Sequence, residues 1–426
     1  MTSIHVLLSL LYFLLSSLLD LEITFLGTAS CTPSLSRGVS CIALRRDSDI
    51  WLFDCGESSQ LQLQRSQIRS SKISKMFLTH LHGDHSFGLP GVLCMIGQST
   101  ADERDKAVGN GEAPIVLDIY GPEGTRDYLR AAIQLTYSKV VAPHRIHELK
   151  NIPVFSYNRP VKRFGPRHTN IRTVSDPQYG EVEGGQDFYP DSNGVYHLLD
   201  NEELTVQAAT MRHSIPCVGF VVTEKARPGK LKPETVMSAI QRNGPALKAQ
   251  LNIHDPMRTL RTLKDLPPGG SFTFPDGTVV YADDILEPRL KGRKIVIMGD
   301  TNTGDYIFDI AQGADVLIHE ATNAWIRELD FPRYPNYSSL ERQTVQNGHS
   351  TPQMAGRFAH RIGAKRLILT HFSPRYRGDP EEGYMRNMWR IENMARETSG
   401  LVEGNDVIAA WDSMILPVPR LTDEYK

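Results

Sequence analysis

The densest chemistry in the chain lies in one short run, His80-Leu81-His82-Gly83-Asp84-His85. Neutral imidazole and carboxylate oxygen are the usual donors to zinc, and crowding them together suits a pair of divalent cations. On a loop, the first and third positions can converge on one ion while the fifth and sixth face a second. A satisfied polar loop, or a histidine-rich turn that picks up metal adventitiously, would be the bland alternative. Histidines and an aspartate packed directly after an apolar strand have few structural uses, so the run points to metal-dependent hydrolysis. A two-metal site needs further ligands and a bridge. His213, Asp300 and His371 each stand where a strand-like run ends, and Asp300 in Gly299-Asp300-Thr301 could bridge the ions. Each alone would more often be a cap, a core residue or a turn. Together with the run they make a coherent ligand set.

Donors of this kind need rigid elements to hold them. Lys75-Met76-Phe77-Leu78-Thr79 forms a short apolar strand that delivers His80 at its end. The second half repeats that style. Lys294 to Met298 runs into Gly299-Asp300-Thr301, Ala314 to His319 into Glu320-Ala321-Thr322, and Arg366 to Thr370 into His371. Ahead of these, Leu21 to Leu26, Ser40 to Leu44 and Ile50 to Asp54 look like successive strands of an antiparallel sheet, and Ser58 to Arg69 fits a helix. Thr351 to Ile362 is a further helix with Pro352 in its first turn. Alternation of strands and helices predicts an α/β class. Two stretches break the pattern. Asn151 to Asn193 is rich in Pro, Gly, Asp and Tyr without periodicity, which predicts an inserted, flexible surface loop. Glu224 to Lys264 holds nine Lys and Arg against three acidic residues, a local charge of +6, with Pro228-Gly229 and Gly244-Pro245 as hinges or turns.

The bulk numbers narrow the class. At 426 residues, 40% hydrophobic and 23% charged, the chain has an ordinary globular composition and can bury a large core. A net charge of −2 gives no sign of a polyanion partner, so any such binding must come from a local basic patch. Five scattered cysteines without a CxxC pair argue against a disulfide framework or a cysteine zinc site, and a reducing compartment is the default. Val6 to Leu19 is almost wholly apolar, long enough for the core of a signal peptide and too short for a comfortable membrane span. No Lys or Arg precedes it and no small-x-small cleavage site follows. Residues 1–20 therefore stand as a presequence, an anchor, or the artefact of a start codon placed too far upstream. No stable membrane partner is expected unless they are retained. Cytoplasm or nucleus is the default compartment, with chloroplast or mitochondrion as the organellar alternative.

Taken with their flanks, these residues resemble the metallo-β-lactamase superfamily, and within it the short-form tRNase Z enzymes, the tRNA 3′-processing endonucleases. The resemblance runs from about Leu21 to the C-terminus. It is carried by Phe25-Leu26-Gly27-Thr28, by Trp51 to Glu57, by Phe77 to His85 with Phe87-Gly88-Leu89-Pro90-Gly91, and by Ile215 to Phe220. Arg227-Pro228-Gly229-Lys230-Leu231, His319-Glu320-Ala321-Thr322, Gly348-His349-Ser350-Thr351 and Leu369 to Tyr376 complete it. The histidine run alone indicates only the superfamily; the later segments point to tRNase Z. Residues 33–40 read Pro-Ser-Leu-Ser-Arg-Gly-Val-Ser where the family commonly has Arg-Asn, which puts this loop's contacts to RNA in doubt. The 151–193 insert and the apolar N-terminus also depart from the short form.

The resemblance implies an αββα four-layer sandwich over residues 21–426 with a protruding basic arm at about 224–264. It implies two Zn²⁺ per chain: His80, His82 and His213 on one, Asp84, His85 and His371 on the other, Asp300 bridging, and Asp54 orienting the ligand loops. Two such ions make water a nucleophile at neutral pH for in-line attack on phosphorus, and Asp84 can aim it. The 3′ oxygen of a ribose leaves poorly unless protonated, and a histidine free of metal is the natural acid. On residues alone His349 is as well read as helix capping ahead of Ser350-Thr351-Pro352; the resemblance makes it the proton donor, with Glu320 holding it charged. The implied reaction removes the 3′ trailer of precursor tRNA, leaving a 3′-hydroxyl on the tRNA and a 5′-phosphate on the trailer. The arm, with Arg227, Lys230, Lys232 and Lys248 as substrate contacts, would clamp the tRNA, usually for the neighbouring subunit of a homodimer. A solvated basic hairpin is the plainer account of the same charge. Two other functions compete: a superfamily hydrolase of small phosphodiesters or esters, and a non-catalytic RNA-binding scaffold.

Overall fold

A computed structural model describes residues 20–102, 110, 116–139, 141–155, 180–401 and 406–420. The apolar N-terminal run and residues 156–179 of the insert lie outside the described residues. Among the described residues no helix is long and apolar enough to cross a membrane. The chain divides into two compact units. Unit 1 comprises Met1–Asp200, Thr205–Val222 and Lys294–Pro419; unit 2 comprises Asn201–Leu204, Thr223–Arg293 and Arg420–Lys426.

Seven strands open the chain: β1 (Leu21–Gly27), β2 (Cys41–Arg46), β3 (Asp49–Phe53), β4 (Ile73–Phe77), β5 (Leu117–Pro122), β6 (His144–Leu149) and β7 (Asp187–Phe188). The next are β8 (Val195–Asp200), β9 (Leu204–Thr210) and β10 (Val218–Glu224), followed by β11 (Ser271–Thr273) and β12 (Val279–Tyr281). The last are β13 (Lys294–Ile297), β14 (Val316–Glu320), β15 (Leu367–Thr370), β16 (Val407–Ala409) and β17 (Met414–Pro417). One sheet runs β17-β1-β2-β3-β4-β5-β6-β7, a second β16-β15-β14-β13-β10-β9-β8, and β11-β12 form a separate hairpin.

The two large sheets pack face to face. β4 shows how: its side chains alternate across the sheet, so Phe77 points between the sheets and meets Phe220 of β10 at 5.4 Å between ring centroids. Met76 points the other way, into an outer cluster with Leu89, Val92, Leu93 and Ile96 of the helix Leu89–Ser99. Burying Phe77 stabilises the fold by about 1.5–3 kcal/mol over leaving it exposed. On the far side of the second sheet, Ala355, Phe358, Ala359 and Ile362 of the helix Pro352–Ile362 pack with Ile391 and Ala395 of the helix Glu382–Ser399. Helices therefore cover both outer faces, giving the four layers of the metallo-β-lactamase fold.

Strand polarity is what positions the chemistry. β3, β4, β5 and β6 run parallel, as do β13, β14, β15 and β16. Parallel neighbours present their C-terminal ends at one edge of a sheet, so residues just past β3 and β4, and past β13, β14 and β15, share an edge in each.

Three sequence expectations are corrected. The helix from Ser58 ends at Arg65, and a short 3₁₀ turn takes over at Ser70–Lys72. Part of the 151–193 stretch is ordered into the first sheet: β7 extends it beside β6, and Glu181 accepts from Arg130 Nε at 2.7 Å. Gly244-Pro245 is no hinge, because it lies inside the helix Pro233–Leu251. An internal proline costs such a helix about 3 kcal/mol. Burial of Val236, Ala239, Ile240 and Leu247 against Leu263, Phe274 and Ile285 offsets it, in an apolar core belonging to unit 2.

Unit 2 reaches beyond the segment read as an arm. The chain pairs Arg227 with Leu290 through two backbone hydrogen bonds of 3.0 Å, and bridges Leu231 to Leu286. The added stretch 265–293 carries five acidic against three basic residues, so the net charge of 224–293 falls to +4.

Candidate metal centre

Every side chain singled out for the metal chemistry belongs to unit 1. Asp54 follows β3, and His80 and His82 lie on the loop after β4. A single helical turn, Gly83–Ser86, carries Asp84 and His85. His213 follows β9, Asp300 follows β13, Glu320 ends β14 and His371 follows β15, while His349 precedes the helix Pro352–Ile362. Asp54 and His371 both adopt left-handed backbone, with φ of 59° and 58°. Only a firmly held environment keeps non-glycine residues in that conformation.

These residues converge in two groups that meet at Asp300. In the first, His80 Nε2 and His213 Nε2 stand 3.1 and 3.2 Å from His82 Nδ1, with Asp300 Oδ2 at 3.7 Å from His80 and 3.9 Å from His213. In the second, His371 Nε2 stands 3.1 Å from His85 Nε2 and 3.3 Å from Asp84 Oδ2. Asp300 Oδ1 lies 3.5 Å from His85 Nε2. Donors 2.0–2.1 Å from a tetrahedral ion stand about 3.3 Å apart, so the observed spacings fit zinc in both groups.

Outer hydrogen bonds fix which nitrogen faces inward. His85 Nδ1 meets Asp54 Oδ2 at 2.8 Å, His213 Nδ1 the Gly348 carbonyl at 3.0 Å, His80 Nδ1 the Thr79 hydroxyl at 3.0 Å, and His371 Nδ1 the Thr322 hydroxyl at 2.9 Å. With the ring proton on the outer nitrogen, each Nε2 offers its lone pair to the centre. Asp54 is itself held by the Thr79 backbone N–H at 2.7 Å. Gly348 has φ of 80°, and a Cβ there would lie 2.9 Å from His213 Nδ1.

The electrostatics agree with a cation. Burial pulls His80 well below the ordinary imidazole range and His213 down to about 4, leaving both neutral as ligands must be. His85 goes the other way. Burial opposes its charge, yet Asp300 and Asp54 raise it well above the ordinary range, and what favours a proton there favours a metal ion. Cys217 Sγ lies 3.7 Å from His80 Nδ1, but burial raises its thiol so far that it stays protonated and is no ligand.

Glu320 and His349 form a second motif at the rim. His349 Nδ1 lies 3.2 Å from both carboxylate oxygens of Glu320 and 3.7 Å from Asp300 Oδ2. Glu320 also accepts from the backbone N–H of Thr301 at 2.7 Å and of Ser350 at 3.1 Å, and from the Thr322 hydroxyl. Burial would neutralise Glu320, but His349, with His371 behind it, holds it below the usual carboxylate range. Burial likewise lowers His349, and Glu320, backed by Asp300 and Asp84, overrides it and pushes the imidazole up to about 9. The His349 side chain keeps 21% of its surface exposed, enough for a substrate atom to reach it. Its Nδ1 is taken by Glu320, so it has no lone pair to give a metal there.

Sequence reasoning missed the supporting layer: Thr79, Thr301, Thr322, Ser350, the Gly348 carbonyl, and the Cys31 N–H that donates to Asp84 Oδ2 at 2.6 Å. Thr79 and Thr322 stand beside residues already singled out, and a hydroxyl next to a buried histidine or glutamate was the available signal. The four basic residues proposed for substrate belong to unit 2. Lys230 and Lys248 are exposed, Lys232 is half-buried, and Arg227 is partly engaged by Glu224 at 3.8 Å.

Comparison with known proteins places this architecture. The family model described as "Anti-Pycsar protein Apyc1" matches residues 21–105. The protein "Zinc phosphodiesterase ELAC protein 1" of Homo sapiens is 35% identical over 405 residues, covering 94% of this chain and 99% of that one. "Ribonuclease Z" of Microcystis aeruginosa is 32% identical over 406 residues, covering 95% and 98%. The solved structure of human tRNase Z, short form, superposes with a TM-score of 0.54 at 29% identity over 93% of this chain and 99% of that one.

Proposed function

The chain belongs to the ribonuclease Z family, and from that premise we propose that it is a zinc-dependent endoribonuclease that cuts the 3′ trailer from precursor tRNA. One observation carries the reading: Asp300 stands between His80–His82–His213 and Asp84–His85–His371, its Oδ2 3.7 Å from His80 Nε2 and its Oδ1 3.5 Å from His85 Nε2, and a buried carboxylate holds a reachable, protonated histidine at their rim. His80, His82 and His213 would hold one zinc, Asp84, His85 and His371 the other, with Asp300 between them. When bound, the ions supply Lewis acidity to the phosphate and water activation at neutral pH.

The remaining steps belong to the chain. Asp84, steadied by the Cys31 N–H on Oδ2, can accept a hydrogen bond from the attacking water and orient it. Glu320 keeps the proton on His349 Nδ1, so Nε2–H is the donor left for the departing ribose 3′ oxygen. A protonated leaving group emerges as the 3′-hydroxyl of the tRNA body, and the phosphate stays on the trailer. General acid help of this kind is worth about 10²–10⁴-fold. Unit 2 is the tRNA-binding arm in this reading, since its exposed Lys and Arg can meet phosphates that the buried centre cannot. By the family's pattern the arm serves the neighbouring subunit, which makes the working species a homodimer.

The test is cleavage of a precursor tRNA bearing a 3′ trailer, run with metal analysis of the same sample. Two zinc ions per chain and one cut beside the discriminator base are expected. Fewer than two metals with no such cut would overturn the proposal. Cleavage of small phosphodiesters alone would favour the superfamily hydrolase instead.

A further inference from the structure

Arg37 sits in the loop where family comparison looks for contacts to RNA, yet it is among the most deeply buried side chains, at 2% exposure. Its guanidinium points into the protein. Nε donates to the Tyr376 carbonyl at 3.0 Å; Nη1 donates to Thr28 Oγ1 at 2.6 Å and the Ala410 carbonyl at 2.9 Å; Nη2 lies 3.4 Å from Met388 Sδ. The plane of the group covers the Phe372 ring, 4.9 Å from its centroid.

Those partners lead to one half of the metal centre. Phe372 directly follows His371, and its N–H donates to the Thr28 carbonyl at 2.8 Å while its own carbonyl accepts from Ser30 N–H at 2.9 Å. The same loop then delivers the Cys31 N–H to Asp84 Oδ2. Arg37 thus clamps, from behind, the loop that touches Asp84 and the strand exit that carries His371. Among the described residues no buried guanidinium hydrogen-bonds behind the other half. There the outer contacts come from Thr79 and the Gly348 carbonyl.

A buried cation is a costly way to fill space, and apolar side chains of similar volume often serve stability as well or better. Burial lowers Arg37 to about 10, against the pull of Asp412, so the group stays charged at neutral pH. Its planar fork is what an apolar residue cannot copy, since it sets the directions of three acceptors at once. His371 in left-handed backbone is a residue that needs such holding.

We propose that Arg37 is a positioning residue for the Asp84–His85–His371 half of the centre, and that it leaves the His80–His82–His213 half alone. The inference rests on the metal reading above.

The test is metal binding by the full-length chain, not activity. Apoprotein of wild type, Arg37→Met, Arg37→Lys and a His371→Ala control is titrated with Co²⁺ and followed by its visible spectrum, then loaded with zinc and analysed for metal. Wild type is expected to bind two ions. Arg37→Met should keep one at unchanged affinity and lose about 100-fold at the other, matching the His371→Ala pattern; Arg37→Lys should lose about 10-fold at that ion, the range over which residues behind metal ligands act. A loss spread equally over both ions, or two ions held as in wild type, would overturn the proposal. If Arg37→Met does not fold, Thr28→Val removes one of its acceptors and must show the same one-sided loss. Wild type binding fewer than two ions would instead count against the metal reading itself.

Discussion

Unit 1 and unit 2 handle their ionisable groups in opposite ways. In unit 1, Asp54, His80, His85, His213, Asp300, Glu320 and His371 are all buried; all but His85, which rides on a single helical turn, lie at or just past a strand end, and outer hydrogen bonds hold Asp54, Glu320 and the histidines His80, His85, His213 and His371. In unit 2, Lys230, Arg242, Lys248, Arg258, Arg261 and Lys264 are exposed over a small apolar core. The contrast follows from what each job needs. Holding a cation and a proton requires desolvated donors with fixed directions, whereas attracting a polyanion requires charge left in water. Chemistry and affinity should therefore come apart under mutation.

The sharpest break is at Asp300. Removing the one residue shared by both donor sets, in Asp300→Ala, should release metal from both and abolish cleavage of precursor tRNA and of a small chromogenic phosphodiester alike, beyond the roughly 10–100-fold typical of outer residues. Metal analysis beside both assays checks it. Retention of two ions would show that Asp300 is not the bridge.

Next in size is excision of unit 2. Arg227 and Leu290 already pair across its neck, so joining them through a short glycine linker in place of residues 228–289 closes the chain where the fold closes it. Precursor-tRNA cleavage should fall by roughly 10³ or more, the scale on which leaving several phosphates without a basic partner acts. Hydrolysis of the small phosphodiester should persist. Equal loss of both would end the division of labour.

How far this division could be seen in the sequence differs between the units. The convergence of the proposed ligands was legible because most of them follow short apolar runs, where β4, β13, β14 and β15 end within a residue or two of the predicted bounds. Its supporting threonines were not, because a hydroxyl's partner depends on strand pairing that adjacency does not reveal. Unit 2 was half legible. Its basic run stood out, but the acidic residues Asp265, Asp276, Asp283, Asp284 and Glu287 belong to the same unit, and Arg242 is paired with Asp276 at 2.7 Å. Gly244-Pro245 looked like a turn because both residues are poor helix formers, and packing of Ile240 and Leu247 overrode that preference. Arg37 drew no reading of its own from the sequence, because the crossing of distant loops is what makes it interior.

A finer cut at the same contrast removes exposed charge without disturbing the core. The double substitution Lys230→Ala and Lys248→Ala should weaken precursor-tRNA binding modestly. It should also flatten the dependence of log affinity on log salt by about 0.7–0.9 for each phosphate no longer neutralised. Binding measured across a salt series, with small-substrate turnover unchanged, is the check. An unaltered slope would assign tRNA binding to other residues.

The smallest expected effect concerns a buried charge cluster of unit 2 that behaves like unit 1. Glu224 accepts from Arg293 Nε at 2.7 Å and Nη2 at 2.9 Å and from Arg420 Nη2 at 3.0 Å, with Arg227 at 3.8 Å. Burial favours its neutral form, but Arg293 and Arg420 prevail and hold its carboxyl below the ordinary value of 4.5. A depressed folded pKa means that the unfolded chain binds the proton more readily. The stabilisation is then complete above about pH 4.5 and is lost as pH falls through the lower, folded value. The protection factor of the helix Pro233–Leu251, its hydrogen-exchange rate compared with that of an unstructured peptide at the same pH, should accordingly fall on acidification below that point while remaining level from pH 5 to 7. Glu224→Ala should remove this pH dependence and, by leaving Arg293 buried without its carboxylate, destabilise the unit by about 3 kcal/mol. A protection factor that still falls with acid in the variant would move the acid sensitivity to another group and leave Glu224 as packing at the neck.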